Sequence, residues 1–274
     1  MPDITVREYD PAPGLGRHQA LDPRSLAYRR PYTGETLRVV EWAPKIPVLN
    51  QQDLTTQGIR TSIMFDGVDD VDALGSCTAN AATAALSVLL SADACAKAGL
   101  DTTDAVAAER FAIQLYADAT TADEWLDHTW PADDCGSSGL GVAKALHRRG
   151  LIDQYGHATT AEELCALLQT GPVLMGMPWH DAFFTPVSST ALLDEIPNWD
   201  KSTVAGGHEV LITALESVAE IEGDISYKHT VLRCQNSWGQ AFGDRGSFRL
   251  SLDLYAQLRD QIDLIQPRLD TRNR

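Results

Sequence analysis

An apolar, alanine-rich run at residues 74–90 constrains the fold more than any other stretch of this chain. It reads LGSCTANAATAALSVLL and contains no charged residue. Alanine and leucine favour helix, and a helix that is apolar on nearly every side is buried in a protein core. Ser76 is a good N-cap residue. The run therefore predicts a buried helix that carries Cys77 in its first turn.

The predicted position of Cys77 suits a reactive thiol. The unpaired N–H groups and the positive dipole end of a helix N-terminus favour the thiolate, which is the nucleophilic form. A cysteine at the start of an apolar helix is nevertheless more often a small buried residue than a nucleophile. A catalytic interpretation therefore depends on a histidine and an asparagine or aspartate elsewhere in the chain.

Charge and size narrow the classes of function. The chain has 274 residues, enough for one large domain or for two lobes that share an interface. Its 38 acidic and 22 basic residues give a net charge of −16. This balance predicts no nucleic-acid partner and no membrane partner, because both need clustered positive charge.

Cysteine usage and hydropathy suggest a cellular setting. The five cysteines are widely spaced and form no CxxC pair, which is typical of reduced thiols and argues against a zinc site. No signal-like segment opens the sequence, and no run of about 18 apolar residues is present. We therefore expect a cytoplasmic protein that needs no metal and no cofactor.

The chain changes character near residue 171. Helical patterns precede it, at residues 104–119, at residues 140–149 and after a capping box at Thr160 and Glu163. Four strand-like segments follow it, at residues 173–177, 208–215, 229–235 and 247–252. This segregation predicts an α+β protein with a helical lobe at about 74–170 and a β lobe at about 171–255.

The first residues are predicted as a separate part of the chain. Residues 1–45 are punctuated by proline and arginine, so we expect an N-terminal arm that lies over the surface of a domain formed by residues 46–274. A site is expected in the cleft between the two lobes of that domain, because interlobe clefts are the usual place for one.

Two stretches of the β half supply possible partners for Cys77. GGHEVLI at residues 206–212 puts His208 at the start of an apolar strand, and CQNSWG at residues 234–239 puts Asn236 at the end of another. A histidine can take the thiol proton, and an asparagine can hold the imidazole in position. Each residue alone has an ordinary structural explanation, but the three together predict a nucleophilic site.

These stretches resemble the motifs of a known enzyme family. LGSCTANA, GGHEVLI and NSWGQAFGDRGSF are similar to the nucleophile, histidine and asparagine motifs of the papain-like cysteine peptidases, in particular their compact bacterial and viral branch. Residues 134–146 and 171–184 also match, and the likeness covers roughly residues 22–255. His208 follows Cys77 by 131 residues, at the lower edge of the roughly 130–150 typical of such enzymes.

The resemblance implies a fold and a set of roles. The fold is the papain-like two-lobe fold, with a helical N-terminal lobe, an antiparallel β-barrel-like C-terminal lobe and the active-site cleft between them. The resemblance implies that Cys77 is the nucleophile, His208 the acid/base and Asn236 the orienting residue. It also implies that the Trp238 ring covers the hydrogen bond between His208 and Asn236. The backbone near Gly136, Ser137 and Gly207 would pair with an extended substrate.

One family feature is displaced. The family has an oxyanion-hole glutamine six residues before the nucleophile, where this chain has Val71. The nearest similar sequence is VLNQQ at residues 48–52. We interpret residues 53–73, which follow it, as an acidic insertion. We predict Gln51 as the displaced counterpart, with Gln52 as the alternative, and the Cys77 backbone N–H as the second donor. Losing one such donor costs about 10²–10³ in rate.

Three functions remain open at this point. The first is a peptidase that hydrolyses peptide bonds of a peptide or protein through a Cys-His-Asn thioester mechanism. The second is a related acyl-transfer enzyme or amidase that forms the same thioester. The third is a catalytically weak binding protein in which the insertion has disrupted the oxyanion hole. The intact Cys77, His208 and Asn236 favour an enzyme, while the sequence gives no indication of oligomeric state.

Overall fold

A computed structural model describes residues 12, 14–18, 27–123 and 128–269 of the chain. Residues 1–11, 13 and 19–26 of the predicted N-terminal arm therefore lie outside the described residues. The short arm segment 14–18 is described, and it lies at the centre of the molecule's candidate site.

Seven α-helices lie in the described ranges. They are α1 (Thr61–Met64), α2 (Cys77–Leu89), α3 (Ala92–Ala98), α4 (Ala105–Ala122), α5 (Gly139–Arg148), α6 (Ala161–Leu168) and α7 (Leu252–Leu258). Helix α2 is central, since each of its residues from Cys77 to Ser87 is buried. Its small side chains allow neighbouring elements to approach from every side.

The strands of the described residues form one large sheet and one small hairpin. They are β1 (Val40–Glu41), β2 (Gln154–His157), β3 (Val173–His180), β4 (Val204–Ser217), β5 (Glu220–Ile221), β6 (Asp224–Ile225), β7 (Val231–Gln235), β8 (Ser247–Ser251) and β9 (Asp263–Arg268). The large sheet has the order β2-β9-β3-β4-β7-β8, with β1 paired to β4, and its strand pairs are antiparallel.

Two apolar cores lie on opposite faces of the large sheet. Leu174 of β3, Leu211 of β4 and Ile265 of β9 belong to a core shared with α2, α4 and α5. Their immediate neighbours along the strands belong to a second core, which includes side chains of α6 and α7. Alternate residues of each strand thus face the two cores, as the period of a β-strand requires. Helix α6 packs in this second core, with side chains of the C-terminal strands, although α6 precedes residue 171.

The helix predictions agree with the structure more closely than the strand predictions do. Helices α2, α4, α5 and α6 occur where the sequence predicts them. Ser76 occupies the N-cap position of α2, but its hydroxyl donates to Asn80 Oδ1 at 2.8 Å and makes no capping hydrogen bond. The sequence does not predict β2 or β9, and β9 extends the sheet beyond residue 255.

None of the helices in the described ranges has the length and apolar character needed to cross a membrane.

Candidate active site

Cys77 is the first residue of α2 and has no solvent exposure. The turn before it is fixed from the helical lobe. Asp134 accepts hydrogen bonds from the Gly75 N–H, at 3.1 and 3.0 Å to its two oxygens, and from the Tyr116 hydroxyl at 2.8 Å. This carboxylate therefore ties the start of α2 to α4.

His208 and Asn236 form a hydrogen-bonded pair. His208 lies on β4, Asn236 directly follows β7, and the distance between His208 Nε2 and Asn236 Oδ1 is 2.7 Å. Both residues are buried. The other ring nitrogen of His208, Nδ1, has no hydrogen-bond partner among the described residues. One ring nitrogen is thus held by the amide, and the other is left available.

Two tryptophan rings enclose this pair. Trp238 stacks on the His208 ring with centroids 4.7 Å apart and an interplanar angle of 28°. Trp179 of β3 contacts the same ring edge-on, with centroids 4.9 Å apart. The aromatic cover excludes water from the hydrogen bond with Asn236, which strengthens it electrostatically. Trp179 is not among the predicted site residues, although the motif PWH at residues 178–180, directly after a predicted strand, was a usable signal.

The sulfur of Cys77 lies against the same strand. The backbone N–H of Glu209, the residue after His208, faces this sulfur and acts to lower the pKa of the thiol, as do the backbone N–H groups of Gly16 and Thr78. The N-terminus of α2 therefore meets β4 where the histidine is held. The contacts with Cys77 are polar, so the thiol is not enclosed in hydrocarbon alone.

Burial keeps both groups neutral in this arrangement. It raises the pKa of the Cys77 thiol to about 12, against the lowering effect of the backbone hydrogen bonds. It also lowers the pKa of His208 to about 4, against the raising effect of the hydrogen bond with Asn236. A buried thiol and a buried imidazole each disfavour their charged forms. The site as folded here therefore holds a thiol and a neutral imidazole.

Gln51, which the sequence predicts as the displaced glutamine, lies beside the turn that precedes Cys77. Its backbone oxygen accepts from the Leu74 N–H at 3.0 Å, and its side-chain Nε2 donates to the Leu74 oxygen at 2.9 Å. Residues 53–73 therefore leave and rejoin the fold at adjacent points. Ser237 Oγ donates to Gln51 Oε1 at 2.5 Å, so the amide orientation is fixed. Gln52 is only half-buried.

The arm segment 14–18 occupies the cleft. The Ser137 N–H donates to the Gly16 oxygen at 2.7 Å, the His18 N–H donates to the Ser137 oxygen at 2.9 Å, and the Arg17 N–H donates to the Gly207 oxygen at 3.1 Å. The approach is close: a Cβ at Gly207 would overlap the Arg17 carbonyl oxygen. The expectation that the arm lies over the surface is wrong here.

The residues predicted to bind substrate are therefore bound to the arm. Ser137 and Gly207 pair with it directly, and Gly136 lies so close that a Cβ there would overlap the Gly16 oxygen. Gly136 also has a φ of +71°, which favours glycine. The arm behaves as an extended chain laid along the groove between the lobes.

No group of three or more histidine, cysteine, aspartate or glutamate side chains within the described ranges is arranged to hold a metal ion.

The architecture is that of the papain-like fold, as the sequence predicts. The structure is similar to that of xylellain, a cysteine protease from Xylella fastidiosa, with a TM-score of 0.61 and 17% identity over 97% of this chain and 100% of that chain. It is also similar to the proform of the ragweed pollen allergen Amb a 11, a cysteine protease. In that comparison the TM-score is 0.50 and the identity is 15%, over 96% of this chain and 72% of that one. No family model and no curated protein sequence matches the chain.

Proposed function

We propose that this protein is a papain-like cysteine peptidase in which Cys77 is the nucleophile, His208 the acid/base and Asn236 the orienting residue. The observation that carries the proposal is the 2.7 Å hydrogen bond between His208 Nε2 and Asn236 Oδ1, which leaves His208 Nδ1 unpartnered among the described residues, on the strand whose Glu209 N–H faces the Cys77 sulfur. A base held on one side and open on the other is the arrangement that activates a thiol.

The reaction follows from these groups. His208 Nδ1 takes the Cys77 proton, and the sulfur attacks the carbonyl carbon of a peptide bond. The tetrahedral intermediate collapses as His208 returns the proton to the leaving amine, which leaves a thioester on Cys77. A water molecule, deprotonated by His208, then attacks the thioester and releases the carboxylic acid, with the proton returned to the thiol.

Gln51 is proposed as an oxyanion donor together with the Cys77 backbone N–H. Gln51 Nε2 donates to the carbonyl oxygen of Gly14 in the arm at 2.7 Å. This contact supports the assignment, because the same N–H can donate to the carbonyl oxygen of a substrate. It also means that arm and substrate exclude each other. Turnover requires the arm segment to leave the groove, which would also remove much of the burial that keeps Cys77 and His208 neutral.

Turnover by matched cysteine variants tests this function. Wild type, Arg17→Ala, Cys77→Ala and Cys165→Ala are assayed on a mixture of fluorogenic peptides; Cys165 is a second buried thiol, which lies on α6 and has no proposed catalytic role. Cys77→Ala should lose at least about 10³ in kcat, because only the covalent route is removed, while Cys165→Ala keeps activity. Equal activity of Cys77→Ala and Cys165→Ala contradicts the proposal.

The same assay in ¹⁸O-labelled water separates hydrolysis from acyl transfer. A peptidase places the label in the new carboxyl group of the product, because water resolves the thioester. Transfer to an added amine without label would instead favour an acyltransferase on the same thioester.

A further inference from the structure

Two buried acidic side chains lie on the two strands next to β3, one on each side of a glycine of β3. Gly176 of β3 is in register with Glu209 of β4 on one side and with Asp263 of β9 on the other. Residues directly opposite each other on antiparallel strands project from the same face of the sheet. Glycine between two carboxylates leaves a gap one side chain wide. Gly139, the first residue of α5, bounds this gap, and a Cβ there would lie 3.0 Å from Glu209 Oε1 and 3.2 Å from Asp263 Oδ2.

The guanidinium of Arg17 fills this gap. It is paired with Asp263, its Nη1 donates to the Gln261 oxygen at 3.2 Å, and its Nε lies 4.0 Å from Glu209 Oε2. A Cβ at Gly176 would overlap both Arg17 Nε and Asp263 Oδ1. The Arg17 side chain is 1% exposed. Arginine is almost never this deeply buried unless it is paired, so the acidic pocket is what allows the side chain to enter.

The pocket is unfavourable without a cation. Burial and the charge of Asp263 raise the pKa of Glu209 well above its ordinary range, and the charge of Arg17 acts to lower it. Neither Glu209 carboxylate oxygen has a hydrogen-bond partner among the described residues. Two buried carboxylates that face each other repel, and a buried charge without partners is costly. A cationic side chain relieves both costs.

The pocket adjoins the proposed nucleophile. The backbone N–H of Glu209 and that of Gly16, which precedes Arg17, both face the Cys77 sulfur closely enough to act on the pKa of its thiol. Three residues before Arg17, the carbonyl of Gly14 accepts from Gln51. Any extended peptide that takes the arm's place in the groove therefore presents a side chain to this pocket within about three residues of the bond under attack.

We propose that Glu209 and Asp263 form a specificity pocket for an arginine or lysine side chain of the substrate, and that Arg17 occupies this pocket in the resting protein. The inference rests on the proposed function and names its substrate class: peptides with a basic residue near the scissile bond. A fixed structural ion pair is the alternative. It does not explain why the pocket opens beside Cys77 or why its occupant comes from a segment that lies along the groove in which an extended substrate would bind.

Matched peptides test the pocket directly. The Arg17→Ala full-length chain is assayed with pairs of fluorogenic peptides that differ by one arginine or citrulline, placed in turn at each of the three positions before and the three positions after the scissile bond. Citrulline keeps the shape of arginine without its charge. At one position we expect kcat/KM to favour arginine by about 30-fold or more, as for a hydrogen-bonded buried charge. Asp263→Asn in the same background should reduce that preference to within about threefold.

The outcomes are distinct. Hydrolysis of both peptides with no preference above about threefold at any position overturns the pocket and leaves the proposed peptidase standing. Absence of hydrolysis of every peptide, together with resistance of Cys77 to alkylation in every variant, overturns the proposed function and the pocket with it.

A measurement on the wild-type chain tests the pocket without depending on the folding of Arg17→Ala. Short arginine peptides should compete with Arg17 for the pocket and accelerate alkylation of Cys77, while citrulline peptides should not. Equal acceleration by the two peptides, or none by either, contradicts the pocket.

Discussion

At the scale of single residues, the orientation of Gln51 matters most to the proposed chemistry. Its Oε1 accepts from Ser237, and its Nε2 is shared between the oxygens of Leu74 and Gly14. A donor fixed in this way needs no reorganisation when charge develops on a substrate oxygen. The sequence predicts Gln51 only because residues 48–52 resemble a family motif. Residues 53–73 separate Gln51 from Cys77 along the chain, so the spacing does not show that the two residues are close in the fold.

Replacing the two adjacent glutamines separately tests this role. Gln51→Ala should lower kcat by about 10²–10³, the usual effect of removing one oxyanion donor. Gln52→Ala is the matched control and should stay within about threefold of wild type, because Gln52 is half-buried and the proposed role belongs to its neighbour. The measurement is kcat for one peptide substrate, with folding checked by circular dichroism. A larger loss in Gln52→Ala than in Gln51→Ala would reverse the assignment.

At the scale of elements, the site is built where three parts of the chain converge: the start of α2, the middle of the sheet and the arm. The sequence predicted α2 well because local propensity and apolar character agree along its whole length. It missed β9, whose strand contains Pro267 and begins at Asp263. Those residues are unfavourable in strands, and tertiary pairing with β2 and β3 decides the conformation.

The candidate site, like the secondary structure, was predictable from the sequence only in part. Cys77, His208 and Asn236 are recognisable because each lies in a distinctive local motif. Arg17, Glu209 and Asp263 are not, because their association depends on which strands are neighbours and on where the arm enters the groove. Glu209 lies within the predicted histidine motif, so its charge beside His208 was the one available signal.

Asp134 provides a prediction for the junction of α2 and α4. Asp134→Ala should lower the free energy of unfolding by about 1–3 kcal/mol, because the buried Gly75 N–H and Tyr116 hydroxyl would lose their acceptor. Asp133→Ala is the matched control, since the Asp133 side chain is 57% exposed, and it should change stability by less than about 0.5 kcal/mol. Chemical denaturation measures both. Equal effects of the two substitutions would contradict the anchoring role.

At the scale of the whole molecule, two lobes and an arm form a closed state in which Cys77 and His208 are buried and neutral. Burial raises the pKa of Cys77 to about 12, so closure is favoured at low pH and weakened as pH rises above the ordinary cysteine value of about 8.5. Burial lowers the pKa of His208 to about 4, so closure weakens as pH falls below about 6.5. As far as the titration of Cys77 and His208 is concerned, the closed state is therefore most stable between about pH 6.5 and about pH 8.5.

The pH dependence of Cys77 alkylation tests this closure. In wild type, the rate should be low at pH 7 and rise towards pH 12, in line with the raised pKa. Arg17→Ala should react faster at pH 7, since the arm loses its ion pair with Asp263 and exposes the thiol. Arg30→Ala is the matched control, because the side chain of that arm arginine makes an exposed hydrogen bond with Gln154. Identical pH profiles for wild type and Arg17→Ala would contradict the closed state.

The proposed thioester places the acyl group of a cleaved peptide on Cys77. Its most direct test is to mix the Arg17→Ala chain with a peptide ester, quench with acid within milliseconds, and locate any added acyl mass by peptide mapping. We expect an adduct on Cys77 that disappears as product forms, and no adduct in the double variant Arg17→Ala/Cys77→Ala. Continued turnover by that variant, or turnover with the acyl group on a different residue, would contradict it.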